Sequence, residues 1–240
     1  MNYQDKFFSK YVSTHFGQIH GGSYLENIKK QLPAWENYIT KFLPKEKNVK
    51  IIDLGCGNGE FLYWLQKSDY KNAEGIDISG EQVEAAEKNG VKNVQKSGIL
   101  EFIKDKREFY DVIFMRDVIE HIKKENILDI LEAVRGSLKK DGLLIIQTIN
   151  GESPFSGRSR YNDFTHEVSF ARHSMHQILL LTGFREIDIV PLKPAVHGLK
   201  SLVRSILWYF IELIIKFYLL VETGSSSGMF TLNLLAVAKK

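Results

Sequence analysis

The stretch "MRDVIEHI" (residues 115–122) places Asp117, Glu120 and His121 directly behind the apolar run "DVIFM". Two carboxylates and an imidazole so close together are donors for a divalent ion, or the parts of a general acid–base site. The spacing acid-x-x-acid-His predicts a helical turn with all three on one side. A later loop, "DFTHEVSF", supplies His166 as a natural fourth donor. Asp117, Glu120, His121 and His166 are therefore a candidate set for Mg²⁺, Mn²⁺ or Zn²⁺. The metal-free alternative makes His121 or His166 the base, with Asp117 beside them as a further catalytic candidate. A purely structural role for the motif is the third alternative, and all three stay open at this level.

A second constellation lies upstream. The apolar run "VKIIDL" ends in "IIDLGCGNGEFL", with Asp53, Gly55, Cys56, Gly57 and Gly59, and a further acid, Asp77, closes "AEGID". Glycines after a buried strand allow a tight turn and close approach of a ligand to the backbone. The helix that follows offers unpaired N–H groups. No phosphate-binding lysine follows the turn, which excludes a P-loop, and the third glycine comes one residue early for a dinucleotide fingerprint. Asp53 would repel a pyrophosphate and suits a ligand with a positive group, whereas Asp77 is placed to accept both hydroxyls of a ribose. Cys56 reads by its own chemistry as a small buried residue of the turn.

The elements that must position these residues can be read from apolar patterning. Strands are expected at 49–54, 72–77, 94–96, 110–115 and 142–149, and helices at 60–68, 80–90, 99–105 and 125–140. Near-continuous apolar strands alternating with amphipathic helices predict a doubly wound, mostly parallel sheet covered on both faces. Later strands at 184–190 and 229–238 complete seven. The chain reads as one domain: an N-terminal helical cap over 1–45, a ligand-binding core over 46–150, a substrate loop over 151–172 and a C-terminal completion over 173–240. Pro33 is a potential break in the helical stretch 24–43. The loop is long and irregular, and its aromatics Phe155, Tyr161, Phe164 and Phe170 argue for order.

"IIDLGCGNGEF", "GIDIS", "FYDVIFMRDVIEHI" and "LKKDGLLIIQTIN" together resemble the successive motifs of class I S-adenosylmethionine-dependent methyltransferases, over roughly residues 45–150. That resemblance implies a Rossmann-like fold and S-adenosylmethionine as cofactor. It implies that Asp53 and the turn from Gly55 through Cys56 and Gly57 to Gly59 hold the methionine end. Asp77 would hold the ribose, Ile78 would pack on the adenine, and Gly98 and Ile99 would lie near the adenine edge. Gln82 and Arg116 join the expected cofactor contacts. The family commonly has an acid after the third strand; "QKSGIL" stands there instead, leaving Ser97 or a backbone group to meet the adenine amino group. The motif at 117–121 resembles the metal site of ubiquinone-biosynthesis O-methyltransferases and of small-RNA 3′-terminal methyltransferases.

The distal half resembles, more loosely, bacterial methyltransferases of capsule and surface-polysaccharide biosynthesis. With Arg158, Arg160 and Arg172 on or beside the loop, this favours an activated, phosphorylated or nucleotide-linked sugar methylated on a hydroxyl. Alternatives are a phosphoramidate or other small capsule modification, a ubiquinone-type phenol, and a non-catalytic cofactor-binding partner. A net charge of +3 on 240 residues argues against a nucleic-acid partner. The single cysteine and the absence of an apolar leader point to the cytoplasm. Residues 201–222 are long and apolar, but Arg204, Glu212 and Lys216 interrupt them, so packing or a homodimer interface is expected rather than a membrane partner.

Overall fold

The computed structural model describes residues 3–13 and 23–240, so part of the expected N-terminal cap lies outside the described residues. The described elements are α1 (Tyr3–Phe8), α2 (Tyr24–Tyr38), β1 (Ile51–Leu54), α3 (Glu60–Lys67), β2 (Ala73–Asp77), α4 (Gly80–Lys88), β3 (Val94–Lys96) and α5 (Ile99–Ile103). They continue with β4 (Tyr110–Arg116), α6 (Ile127–Ser137), β5 (Leu138–Ile149), α7 (Ser156–Asn162), α8 (Arg172–Leu181), β6 (Arg185–Pro191), α9 (Leu199–Thr223) and β7 (Asn233–Lys239). The strands form one seven-stranded sheet in the order β3-β2-β1-β4-β5-β7-β6. β7 is antiparallel to both its neighbours, and the other described pairings are parallel.

Alternation along the strands divides the core into two layers. Ile52, Leu54, Ile113, Met115, Leu144 and Ile146 pack with Leu131 and Val134 of α6. Ile51, Val112, Phe114 and Ile145 point the other way, onto Trp35 of α2 and Phe61 and Leu65 of α3. β1 lies between β2 and β4, so the strand order reverses there, and the carboxyl ends of β1, β2 and β4 open onto a crevice. The motifs around residues 53, 77 and 117 all end at that edge.

Several expectations shift. α2 runs unbroken through Pro33, its start fixed by a reciprocal Ser23–Glu26 capping box. The expected irregular loop contains α7, and its two stems are tied: Gly151 N donates to Phe170 O at 2.9 Å, and Asn150 Nδ2 donates to Met229 O and Thr231 O at 2.7 and 2.8 Å. The last strand starts at Asn233 rather than 229. Among the described residues no helix is long and apolar enough to cross a membrane.

Candidate active site

The turn after β1 is shaped by what presses on it. Gly55 has φ +80°, and a Cβ there would lie 2.3 Å from Val118 Cγ2. Its N–H and that of Cys56 both donate to Ile76 O at 2.8 Å, which pins the turn to β2. Gly57, at φ +56°, has open space where a Cβ would stand. Cys56 keeps its thiol inside, closely packed on Gly75, and burial pushes that thiol up. Only its place in the turn brings it to the crevice.

The crevice is a cleft of about 900 Å³, lined by Asp53, the residues from Gly55 to Asn58, Asp77, Ile78, Gln82, Ser97, Gly98, Ile99, Arg116 and Asp117. Gly59, the remaining glycine of the turn, caps the start of α3 at its edge. Asp77 Oδ2 accepts from Gly57 N at 2.9 Å and Oδ1 from Ser79 N at 2.8 Å, leaving each oxygen a further lone pair. Ile78 is half exposed on the cleft wall. Ser97 Oγ turns onto Gly98 O at 3.2 Å, and Gly98 caps α5 with open space beside its Cα. Arg116 lies over the Phe61 ring at 4.4 Å from its centroid, with Nη2 3.4 Å from Gln31 Oε1.

Asp53 is buried to 1% exposure, and burial first of all lifts its carboxyl to about 7, against the pull of the Arg116 cation and with help from Asp77 and Asp117. Asp53 Oδ1, Ser79 Oγ, Gln82 Oε1 and Arg116 Nε are buried without a hydrogen-bond partner, and all these residues line the cleft. Buried polar atoms of this kind want a ligand. A cationic amino acid end, a ribose and an adenine supply complementary donors and acceptors, so S-adenosylmethionine fits the residues present.

The second constellation is rearranged. The 3₁₀ turn Ile119–His121 does not put Asp117, Glu120 and His121 on one side. Asp117, at φ +55°, sits in the cleft wall with Oδ2 accepting from Gln147 Nε2 at 2.9 Å. Glu120 turns inward to 1% exposure, accepts from Thr148 Oγ1 at 2.9 Å, and is held above the usual carboxylate range by burial and then by the Asp117 charge. The expected four-donor set is thus corrected: Asp117, bonded to Gln147, and Glu120, bonded to Thr148, do not join the donor cluster.

His121 and His166 do meet, with ring centroids 4.6 Å apart, and the third member is Asp163. One donor atom from each of His121, Asp163 and His166 falls within 4.8 Å of the others. Asp163 Oδ2 accepts from Tyr11 Oη at 2.6 Å, and Oδ1 accepts from Thr165 N at 2.8 Å and Thr165 Oγ1 at 2.7 Å. Burial opposes its charge, but these bonds and the nearby His121 bring the carboxyl down to about 2. Thr165 Oγ1 also lies 2.8 Å from His121 Nδ1. With its hydrogen bond donated to Asp163, the hydroxyl accepts from Nδ1–H, which puts the His121 lone pair on Nε2. His166 Nδ1 is 3.0 Å from Ser159 O, a pure acceptor, so its lone pair is also on Nε2, and burial lowers its basicity.

Asp163, Thr165 and Tyr11 were not singled out in the sequence. The "ND" before "FTHE" offered only the short separation Asp163-x-x-His166 as a signal, and nothing local marks Tyr11. The N-terminal segment closes over this corner: Gln4 Nε2 donates to His121 O at 2.9 Å, the Phe8 ring is 5.9 Å from that of His121, and Val12 N donates to Glu81 at 3.0 Å. Arg160 donates to the backbone carbonyls of His166 and Glu167, which engages its guanidinium, while Arg158 and Arg172 are exposed.

The family model for a methyltransferase domain matches residues 24–188. A ubiquinone biosynthesis O-methyltransferase of Rickettsia felis is 34% identical over 131 residues, covering 52% of this chain and 49% of that protein. One from Pelagibacter ubique is 34% identical over 108 residues, 43% of each chain. The chain spans about half the length of these curated relatives or less. A crystal structure of a SAM-dependent methyltransferase from Archaeoglobus fulgidus superposes over 100% of both chains, with TM-score 0.65 and 22% identity. The glycine turn, the acids at the ends of β1 and β2, the seven-stranded sheet and the family match agree: the chain belongs to the class I S-adenosylmethionine-dependent methyltransferases.

Proposed function

We propose that this methyltransferase acts on the oxygen of a phenolic ring, an O-methylation of the ubiquinone-biosynthesis type, with His121, Asp163 and His166 handling the acceptor proton. The observation that carries this reading is the link Asp163–Thr165–His121 beside the cofactor cleft, with an ionised carboxylate at one end and a basic Nε2 at the other. The bound cofactor supplies an activated methyl group on a sulfonium, which leaves as a neutral thioether. What this chain must add is an acceptor oxygen stripped of its proton and held in line. Positioning contributes about 7–11 kcal/mol in such displacements. A placed base contributes about 10²–10⁴-fold. His121 Nε2 takes the acceptor's proton, Asp163 offsets the charge through Thr165, and His166 flanks the same space.

Two imidazoles and a carboxylate also suit a divalent transition ion such as Mn²⁺ or Zn²⁺ better than Mg²⁺. Such an ion, held by His121, Asp163 and His166, would supply polarisation of the acceptor oxygen. The similarity to quinone O-methyltransferases favours a phenol over the activated sugar suggested by the loop arginines, and the engagement of Arg160 by backbone carbonyls weakens the case for a diphosphate contact.

The test is methyl transfer from labelled S-adenosylmethionine to a catechol, a monophenol and a nucleotide-linked hexose, each with EDTA, Mg²⁺ or Mn²⁺. Turnover of the phenols in EDTA supports the histidine base. Turnover that returns only with Mn²⁺ assigns the triad to a metal. Methylation of the sugar alone overturns the phenol reading, and cofactor binding with no turnover of any acceptor restores the non-catalytic alternative.

A further inference from the structure

We infer that α9 is a dimerisation helix, pairing antiparallel with α9 of a second copy of this chain through a face the fold leaves bare. α9 touches its own body along one side only. Ser201 and Glu212 are buried there, and Glu212 is clamped by Lys193 at 2.7 Å and Lys216 at 3.1 Å. At about 100° per residue, the opposite side carries Val203, Leu207, Phe210, Ile214, Phe217 and Val221. These are spaced alternately four and three apart, and each is between 49% and 72% exposed. Alternating four-and-three spacing of apolar residues is the seam of a coiled coil, in which each residue inserts between residues of a facing helix. No charged residue interrupts that seam.

The flanks choose the partner and its direction. On one margin stand Lys200 and Arg204 near the start of α9 and Glu222 near its end, all exposed and, among the described residues, without an ion pair in their own chain. In an antiparallel pair the same margin of each helix faces the other, end to end. Lys200 and Arg204 of each copy then meet Glu222 of its partner, twice by symmetry. A parallel pair would instead set Glu222 against the opposite margin, which holds Leu202, Ile206 and Leu220. Helix dipoles also oppose favourably in the antiparallel arrangement. The seam points away from the catalytic body, so two bodies lie on the outer sides without meeting. A face about 37 Å long on a helix of this girth presents on the order of 800 Å², the amount each partner contributes to a standard stable interface.

Sedimentation velocity on the full chain, with and without liposomes of phosphatidylcholine and phosphatidylglycerol, tests this. A concentration-dependent dimer is expected. Phe210→Asp should weaken it by about 100-fold or more, since a charge at the centre of the seam stays unpaired. Lys200→Glu combined with Arg204→Glu, and separately Glu222→Lys, should each raise the dimer Kd by about 5-fold or more through like-charge contact, and all three changes together should restore it. Circular dichroism and the melting temperature show that each variant is folded. A monomer at all concentrations, or a monomer that co-sediments with the liposomes, overturns the inference; a dimer that the combined three-residue swap fails to restore overturns the antiparallel arrangement.

Discussion

Tyr11 Oη donates to Asp163 Oδ2 at 2.6 Å across 152 residues of chain, tying the N-terminal segment to the corner of the cleft where His121 and His166 meet. The bond helps keep the carboxylate ionised, and it holds α1 where Phe8 covers His121. Tyr11→Phe removes it with little change in packing. A charge-assisted hydrogen bond contributes about 1.5–3 kcal/mol, so methyl transfer should fall by about 10-fold or more. Trypsin should also cut faster at Lys6 or Lys10. Unchanged rates of both would show that the bond does neither job.

Thr165 joins Asp163 to His121 through one hydroxyl. Thr165→Val keeps the shape and loses the bridge, so His121 is no longer fixed with its proton on Nδ1. The expected loss is about 10²-fold in kcat, with KM for the acceptor nearly constant and with recovery in Thr165→Ser. A stability defect without this kcat-specific loss would count against a positioning role.

Asp53 makes folding depend on pH in a definite direction. Burial raises its carboxyl to about 7, so between the ordinary carboxylate range and about 7 the folded chain holds a proton that the unfolded chain has lost. Stability from this group is complete at low pH and fades as pH rises through 7. Asp53→Asn should flatten that part of the melting-temperature profile. A cationic ligand end beside Asp53 favours its ionised form, so cofactor binding near pH 6 should release a proton, measurable by calorimetry in buffers of different ionisation enthalpy.

Glu120 is held protonated into the neutral range by burial, and it meets Thr148 rather than the histidines. Glu120→Gln should therefore leave methyl transfer within about 3-fold of the parent, with stability changed by no more than about 1 kcal/mol. Loss of metal binding or of activity in this variant would return Glu120 to the reactive cluster.

The turn glycines separate folding from ligand binding. Gly55→Ala meets Val118 Cγ2 at 2.3 Å in a left-handed backbone, and overpacking plus strain should cost about 2–5 kcal/mol. Gly57→Ala meets nothing and should cost only about 1–2 kcal/mol in backbone strain. Gly57 lines the cleft, so the melting temperature should fall by only about 2–8 °C while cofactor affinity drops by at least about 10-fold.

The convergence of the first motifs on one cleft was legible because each of its features is local. A glycine turn after an apolar strand, and an acid at the end of the next strand, follow from strand ends sharing one edge of a parallel sheet. Asp53, Asp77, Gln82 and Ser97 all arrive at one cleft for that reason. The corner around His121 and His166 is set by partners distant in sequence. Glu120 was misread because acid-x-x-acid-His implies a shared face only in an α-helix, and a 3₁₀ turn followed by the Thr148 hydroxyl sends it inward. Asp163 was missed because its role depends on Tyr11, which no spacing rule connects to it. The apolar helix was expected to pack or pair, and the structure shows how little of it its own body covers.

The tied stems of the segment between β5 and α8 have a consequence for how such an enzyme changes its substrate. Asn150 is anchored to Met229 and Thr231, and Gly151 to Phe170, so the loop leaves the scaffold and returns to it through one narrow neck. Asp163, Thr165 and His166 all lie within that excursion, whereas the cleft residues from Asp53 to Arg116 lie outside it. An exchange of this one cassette between relatives replaces the proposed acceptor-side residues Asp163, Thr165 and His166 together and leaves the residues from Asp53 to Arg116 in place. Such a cassette still has to match the partners its residues bond outside the neck, Tyr11, His121 and Glu120.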